Sequence, residues 1–181
     1  MILLHGTNIL VRSQKPNPET ITQVTFLLSK DSPGFPNYQG VKDYFFAKGI
    51  SNPNLLDIRK AIIEIRSNKL PNPRDIASVG SFFKNPIVSK EKGDVLKQKF
   101  PTLAVFPIDE KNTKIGAGSM IDTLGWKGKQ IGNFSFYKGN AMVIVHEGGG
   151  NRKELANLLE NLNNELYKKY EIKLEPEPEL L

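Results

Sequence analysis

The chain has 181 residues, 39% hydrophobic and 24% charged, the size and balance of one ordinary globular domain rather than of a disordered segment. It carries no cysteine, which excludes disulfides, thiolate metal sites and thiol nucleophiles. Only two histidines exist, His5 and His146, so a metal centre built on nitrogen ligands is not expected and a Ser-His-acid triad would have to use one of them. Lys and Arg outnumber Asp and Glu by 25 to 19, and the net charge of +6 favours anionic partners. The cations are scattered rather than gathered into a stripe, and no stacking platform accompanies them, which points away from nucleic acid. A small phosphorylated ligand or a solvated basic surface accounts for the charge equally well. No apolar run approaches the roughly 18 residues needed to span a bilayer. The opening Met-Ile-Leu-Leu-His-Gly lacks the basic start of a signal peptide, so a cytoplasmic protein without a membrane partner is expected.

Taken in chain order, Gln14–Glu19 reads as a loop and Ile21–Leu28 as a strand by its β-branched content. Ser32–Gly40 is a turn-rich connection, since neither of its prolines suits a regular interior. Asn54 caps a helix in which Leu55, Ile58, Ala61, Ile62 and Ile65 recur at helical spacing; it ends near Asn68, where Pro71 and Pro73 prevent its continuation. Ser81–Val88 reads as a strand, Lys90–Lys99 as a short helix and Leu103–Ile108 as a strand. Ser119–Leu124 reads as a helical turn ahead of a glycine-rich loop at 125–132. Asn133–Tyr137 and Ala141–His146 suit a hairpin across Lys138-Gly139-Asn140. Asn151 and Glu154 resemble a capping box with Asn in place of Ser or Thr, opening a helix striped by Leu155, Leu158, Leu159, Leu162 and Leu166 to about Tyr170. A short strand, Glu171–Leu174, precedes an acidic, proline-rich ending. The irregular alternation of strands and helices gives an α+β class, a mixed sheet with flanking helices, without internal repeats.

Three stretches invite a chemical reading. Ser78-Val-Gly-Ser-Phe-Phe-Lys-Asn-Pro86 flanks an aromatic pair with a hydroxyl, a cation and an amide, a set that suits a proton donor and a phosphorylated or carbonyl-rich ligand. The bland alternative is half-buried packing of Phe82 and Phe83. Glu147-Gly-Gly-Gly-Asn151 follows a strand and opens a helix, but lacks the spacing of a dinucleotide fingerprint and the Gly-Lys-Ser/Thr of a P-loop, so a flexible connection is preferred. The loop at 125–132 is either an ordinary surface loop with a packed indole or a ligand-facing segment whose glycines admit close approach.

Four ordered blocks then carry a resemblance. Lys69-Leu-Pro-Asn-Pro73, Gly80-Ser-Phe-Phe-Lys-Asn-Pro86, the segment 117–132 with Ala117-Gly118, Ile121-Asp122 and Lys127-Gly-Lys-Gln-Ile-Gly132, and Leu174-Glu-Pro-Glu177 are similar to the C-terminal half of the UDP-N-acetylenolpyruvoylglucosamine reductases (MurB). The similarity runs from about Ile21 to the end, leaving residues 1–20 as an N-terminal remnant or extension and 21–181 as a substrate-binding domain. The resemblance implies the reduction of UDP-N-acetylglucosamine enolpyruvate to UDP-N-acetylmuramate in peptidoglycan precursor synthesis, with NADPH as hydride donor by way of bound FAD. It implies Ser81 as donor of the proton that follows the hydride and Glu177 as the carboxylate that organises the enolate-like intermediate. Tyr38, Lys69, Asn85, Lys127 and Asn140 match substrate-facing positions, Lys69 meeting the UDP phosphates, and Arg66 is the one cofactor-facing position.

The departures are equally specific. The family's Glu-Pro-Glu is usually followed by a hydrophobic residue and an arginine, where this chain has Pro178 and Glu179. A longer substrate contact is shortened to Asn140. The half that embraces FAD is absent, and of its Tyr-Arg-x-Ser setting only Val11-Arg12-Ser13 echoes the pattern. The chain is therefore read as the substrate-binding and proton-donating part of such an enzyme, with a separate flavin-binding half as its partner. The alternative is a non-catalytic UDP-sugar-binding module that has lost the flavin half.

Overall fold

The computed structural model describes residue 25 and residues 34–178. The predicted loop Gln14–Glu19, the strand Ile21–Leu28 apart from Thr25, Arg12 and Glu179 lie outside the described residues. Contacts divide the chain into two compact units after Ile65.

In the first unit, α1 (Gln39–Ala47) presents Val41 and Phe45 to a small core that also takes Ile58 and Ala61 from α2 (Leu55–Lys69). The sequence reading missed α1, because the Pro- and Gly-rich Ser32–Gly40 overlaps its start and masks the spacing of Val41, Tyr44 and Phe45. α2 is capped as expected: Asn54 Oδ1 accepts from the N–H groups of Leu56 and Asp57 at 2.8 and 3.0 Å, and Asp57 returns a bond to the Asn54 N–H at 3.1 Å. Tyr44 Oη donates to Glu64 Oε2 at 2.6 Å and accepts from Lys48 Nζ at 2.7 Å, tying the two helices together.

The second unit alternates β1 (Ala77–Ser81), β2 (Ile87–Ser89), α3 (Lys90–Lys99), β3 (Val105–Pro107), β4 (Asn112–Ile115), α4 (Ala117–Thr123), β5 (Gln130–Ile131), β6 (Phe134–Phe136), β7 (Val143–His146) and α5 (Arg152–Tyr170). The class is α+β, as the sequence analysis expects. The strands form two antiparallel sheets, ordered β1-β7-β6-β5 and β2-β4-β3. The predicted hairpin across residues 138–140 is the β6–β7 pair. A single core takes Phe82, Phe83, Trp126, Phe134, Phe136 and the leucine stripe of α5.

Two strand assignments are corrected. The strand predicted over Ser81–Val88 is broken: β1 ends at Ser81 and β2 begins at Ile87 in the other sheet. Pro86 has no N–H for a ladder, and the backbone of Phe82 and Lys84 bonds instead to residues 142, 175 and 177. Glu171–Leu174 is not a strand either. Glu171, in the left-handed region at φ 54°, ends α5, and the backbone of Leu174 is satisfied by the side chain of Asn163, whose Oδ1 accepts its N–H at 2.7 Å while Nδ2 donates to its carbonyl at 3.1 Å. Ile172 and Leu174 are buried nonetheless. α4 starts two residues before the predicted Ser119 for a reason no local window contains, given below. β4 was missed because its outward Asn112 and Lys114 dilute the alternation with Thr113 and Ile115. No helix among the described residues is long and apolar enough to cross a membrane.

Candidate functional site

Phe82 and Phe83 are 4% and 1% exposed, and Phe83 lies parallel to Phe136 with ring centroids 6.4 Å apart. The packing reading of these rings is therefore correct, and it is also what fixes the polar residues around them. The Phe82 N–H donates to the Met142 carbonyl at 2.7 Å, and the Phe82 carbonyl accepts from the Glu177 N–H at 2.8 Å. Phe83 and Pro176 form an antiparallel bridge, continued by the Lys84 N–H to the Glu175 carbonyl at 2.9 Å. Residues 91 to 95 positions apart in sequence thus meet beside two buried rings, and Ser81 and Glu177 are both exposed. Lys84 pairs with Glu175 rather than Glu177, at 3.4 Å on an exposed edge.

Asn85 serves a structural bond. Its Oδ1 accepts from the Ala117 N–H at 2.9 Å, capping α4 from 32 residues away where the N-cap position is the side-chain-less Gly116. Its amide nitrogen remains as the donor for a ligand.

The turn at 137–140 lies against the C-terminal end of α2: a Cβ on Gly139 would come within 2.8 Å of the Asn68 carbonyl oxygen and 3.2 Å of that of Lys69. Only glycine lets this turn approach so closely. Across the same turn, a Cβ on Gly128 would lie 3.8 Å from that of Lys138. The Gly128 N–H donates to the Phe136 carbonyl at 2.9 Å. Lys69, Lys127 and Lys138 are therefore carried on adjoining backbone segments, all exposed. Lys127 is 3.6 Å from Asp122. The loop is held from beneath by Trp126, buried, with its Nε1 donating to Glu165 Oε2 at 2.8 Å and Lys129 Nζ 4.2 Å above its ring.

Asn140 joins the two halves of the site. Its Oδ1 accepts from the Met142 N–H at 3.0 Å, and Met142 is the residue whose carbonyl holds Phe82. Met142 also receives α4, since a Cβ on Gly118 would stand 3.1 Å from Met142 Cγ. Arg66 is exposed on the last turns of α2, its carbonyl accepting from the Leu70 N–H at 2.9 Å. Tyr38 belongs to the first unit, where it precedes α1 and is 58% exposed. Sequence reasoning missed Glu165, Ser78 and the conformation of Gly80; the Ser-x-Gly pattern inside a strand was the available signal for the last two.

In the glycine-rich segment 147–151, residues 147–149 are exposed and Gly150 is packed. A Cβ on Gly150 would come within 2.8 Å of the Phe134 ring, and Asn133 Nδ2 donates to the Gly149 carbonyl at 3.3 Å. Asn151 caps α5 as expected, its Oδ1 accepting from the Glu154 N–H at 3.0 Å. His146 Nδ1 accepts from the Gly148 N–H at 2.9 Å and the ring meets Phe134 edge-on, so this histidine is structural.

Residues 72–181 match the family model of the UDP-N-acetylenolpyruvoylglucosamine reductase C-terminal domain. The chain belongs to this family. Curated UDP-N-acetylenolpyruvoylglucosamine reductases are similar well beyond that domain. The protein of Ralstonia nicotianae is 37% identical over 158 residues, covering 87% of this chain and 46% of the relative. Those of Polynucleobacter asymbioticus and Pseudomonas aeruginosa are 34% and 33% identical, covering 93% and 92% of this chain and 48% and 49% of the relatives. The chain spans about half the length of the curated reductases it matches. An alignment of 158 residues is longer than the second unit, so the reductase likeness extends into the first.

Proposed function

We propose that this chain is the substrate-binding and proton-donating part of a UDP-N-acetylmuramate dehydrogenase, taking UDP-N-acetylglucosamine enolpyruvate and working with a separate flavin-binding half in peptidoglycan precursor synthesis. What supports the reading is the backbone bridge 82–84 to 175–177, which brings the segments carrying Ser81 and Glu177 together, and its link through Met142 to Asn140, in the turn that packs against the backbone of Lys69. An exposed hydroxyl and carboxylate at one end and a group of cations at the other suit a ligand with a reactive enolpyruvyl ether at one end and a diphosphate at the other. Ser81 gives its proton to the substrate carbon bonded to the ether oxygen and recovers one from water. Glu177 orders that exchange from the facing segment, and Lys69 and Lys127 meet the phosphate oxygens. The amides of Asn85 and Asn140 each keep their nitrogen as a donor, and Tyr38 is a substrate contact by resemblance alone.

The described residues do not fit FAD. Among them, the run of glycines that follows a strand has Gly150 pressed against Phe134, the Gly148 N–H bonded to His146 and the Gly149 carbonyl to Asn133, and Arg66 alone does not make a cofactor site, so no step is routed through a flavin. The reducing chemistry, with NADPH, belongs to the partner half.

Calorimetric titration with UDP-N-acetylglucosamine tests the reading. Lys69→Ala removes a charge-assisted phosphate contact worth about 1.5–3 kcal/mol, so affinity should fall roughly tenfold or more. Equal affinity of parent and variant, or tighter binding of an oligonucleotide than of the UDP-sugar, counts against it.

A further inference from the structure

Ser81 owes its orientation to a β-bulge. In the β1–β7 ladder Ala77 faces His146 and Ser78 faces Val145, yet the next pair is Ser81 with Val143. Two residues, Val79 and Gly80, therefore oppose the single residue Ile144. Val143 and Val145 share one face of β7, so Ser78 and Ser81, three positions apart, point to the same side. In a regular strand they would point to opposite sides, because the side-chain period is two. Without the extra residue Gly80 would face Val143, and Ser81 would turn to the face of Ile144 and Phe136, which belongs to the main core; Val143 and Val145 are also buried but lie outside that cluster. Phe82, the next residue, occupies that core face instead.

The conformation of Gly80 permits this. Gly80 has φ +80°, a region that side-chain-bearing residues rarely adopt, while a Cβ there would meet nothing within 4 Å. Substitution at Gly80 is thus opposed by backbone conformation and not by crowding. The Gly80 N–H, displaced from the ladder, donates to Ser78 Oγ at 3.0 Å, which supplies the partner that the bulge removes.

We infer that Ser78 and Gly80 are positioning residues for the proton donor: together they hold the bulge that turns Ser81 out of the core and toward the side where Glu177 can be used. The inference rests on the reading of Ser81 as donor, but its test needs neither substrate nor flavin. The chain has no cysteine, so Ser81→Cys installs a single reporter thiol. Its rate of modification by an aromatic disulfide reagent is then read in the otherwise unaltered chain and in the same chain carrying Gly80→Val, Ser78→Ala or Ser78→Thr. Gly80→Val drives φ negative and should slow modification roughly tenfold or more, as an exposed thiol turns toward the core. Ser78→Ala should slow it less, and Ser78→Thr, which keeps the acceptor, should match the parent. An unchanged rate in folded Gly80→Val protein, judged by its circular dichroism and urea midpoint, overturns the inference. Should Gly80→Val not fold, equal rates for Ser78→Ala and Ser78→Thr overturn it. Equal affinity of parent and Lys69→Ala in the titration above, with these rates behaving as stated, would remove the donor role and leave the bulge standing.

Discussion

Asn85 is asked to do two things with the two ends of one amide. Its oxygen holds the Ala117 N–H, and on the proposed function its nitrogen donates to substrate. Asn85→Ala should therefore lower stability by about 1 kcal/mol, the usual cost of losing an N-terminal helix cap, measured as a shift in the urea midpoint at constant m-value. Asn85→Asp keeps the acceptor and discards the donor, so it should recover most of that stability while still weakening UDP-sugar binding. If Asn85→Asp binds the sugar nucleotide as well as the parent, the residue is a cap and nothing more. The motif made Ser81, Asn85 and Glu177 visible in the sequence, yet the role of each neighbour was not. Ser78 and Gly80 act through a register shift, Asn163 acts by satisfying Leu174 from another element, and Glu165 acts through the indole of Trp126. Such effects are set by pairing across the chain, which a linear pattern does not encode.

Elements with their own signals were legible. α2, α3 and α5 carry an apolar period and an N-cap side chain, and their boundaries follow from them. Elements defined by partners were not: β4 exists because β2 and β3 bracket it, and the segment 82–86 leaves one sheet for another because the C-terminal tail offers it bonds. The α1–α2 pair offers a test at this scale. The Tyr44 hydroxyl, and then the Lys48 ammonium, hold the Glu64 carboxyl below its ordinary value. A carboxylate depressed in the folded state contributes stability above its unfolded pKa, and that contribution is lost as the pH falls through the folded value. The window therefore lies on the acid side of the ordinary glutamate range. NMR titration of the Glu64 side-chain carbon should give a midpoint below that range, and Tyr44→Phe should move it back up. A midpoint unchanged by Tyr44→Phe would show that the hydroxyl bond does not persist in solution.

At the scale of the whole molecule, the chain has an adequate core for the fold it adopts and about half the length of the reductases it matches. It presents exposed lysines, an exposed hydroxyl and carboxylate on bridged segments, and a glycine run whose last member is packed. A pyrophosphate cradle needs backbone N–H groups free to converge on an anion at a helix N-terminus. At α5 the Glu154 N–H is taken by Asn151 and the preceding Gly148 N–H by His146, and Gly150 is pressed against Phe134. The purified chain should thus emerge from size exclusion colourless after incubation with excess FAD, with no flavin absorbance under the protein peak. If, as proposed, the two halves divide the cofactor and the proton between them, mixing it with the N-terminal half of a relative and FAD should restore reduction of the enolpyruvyl substrate by NADPH. Stoichiometric yellow protein from the chain alone would contradict the division. So would a mixture in which the substrate is reduced equally well when Ser81 is replaced by Ala, because general acid catalysis is typically worth about 10²–10⁴ in rate and its loss could not pass unseen.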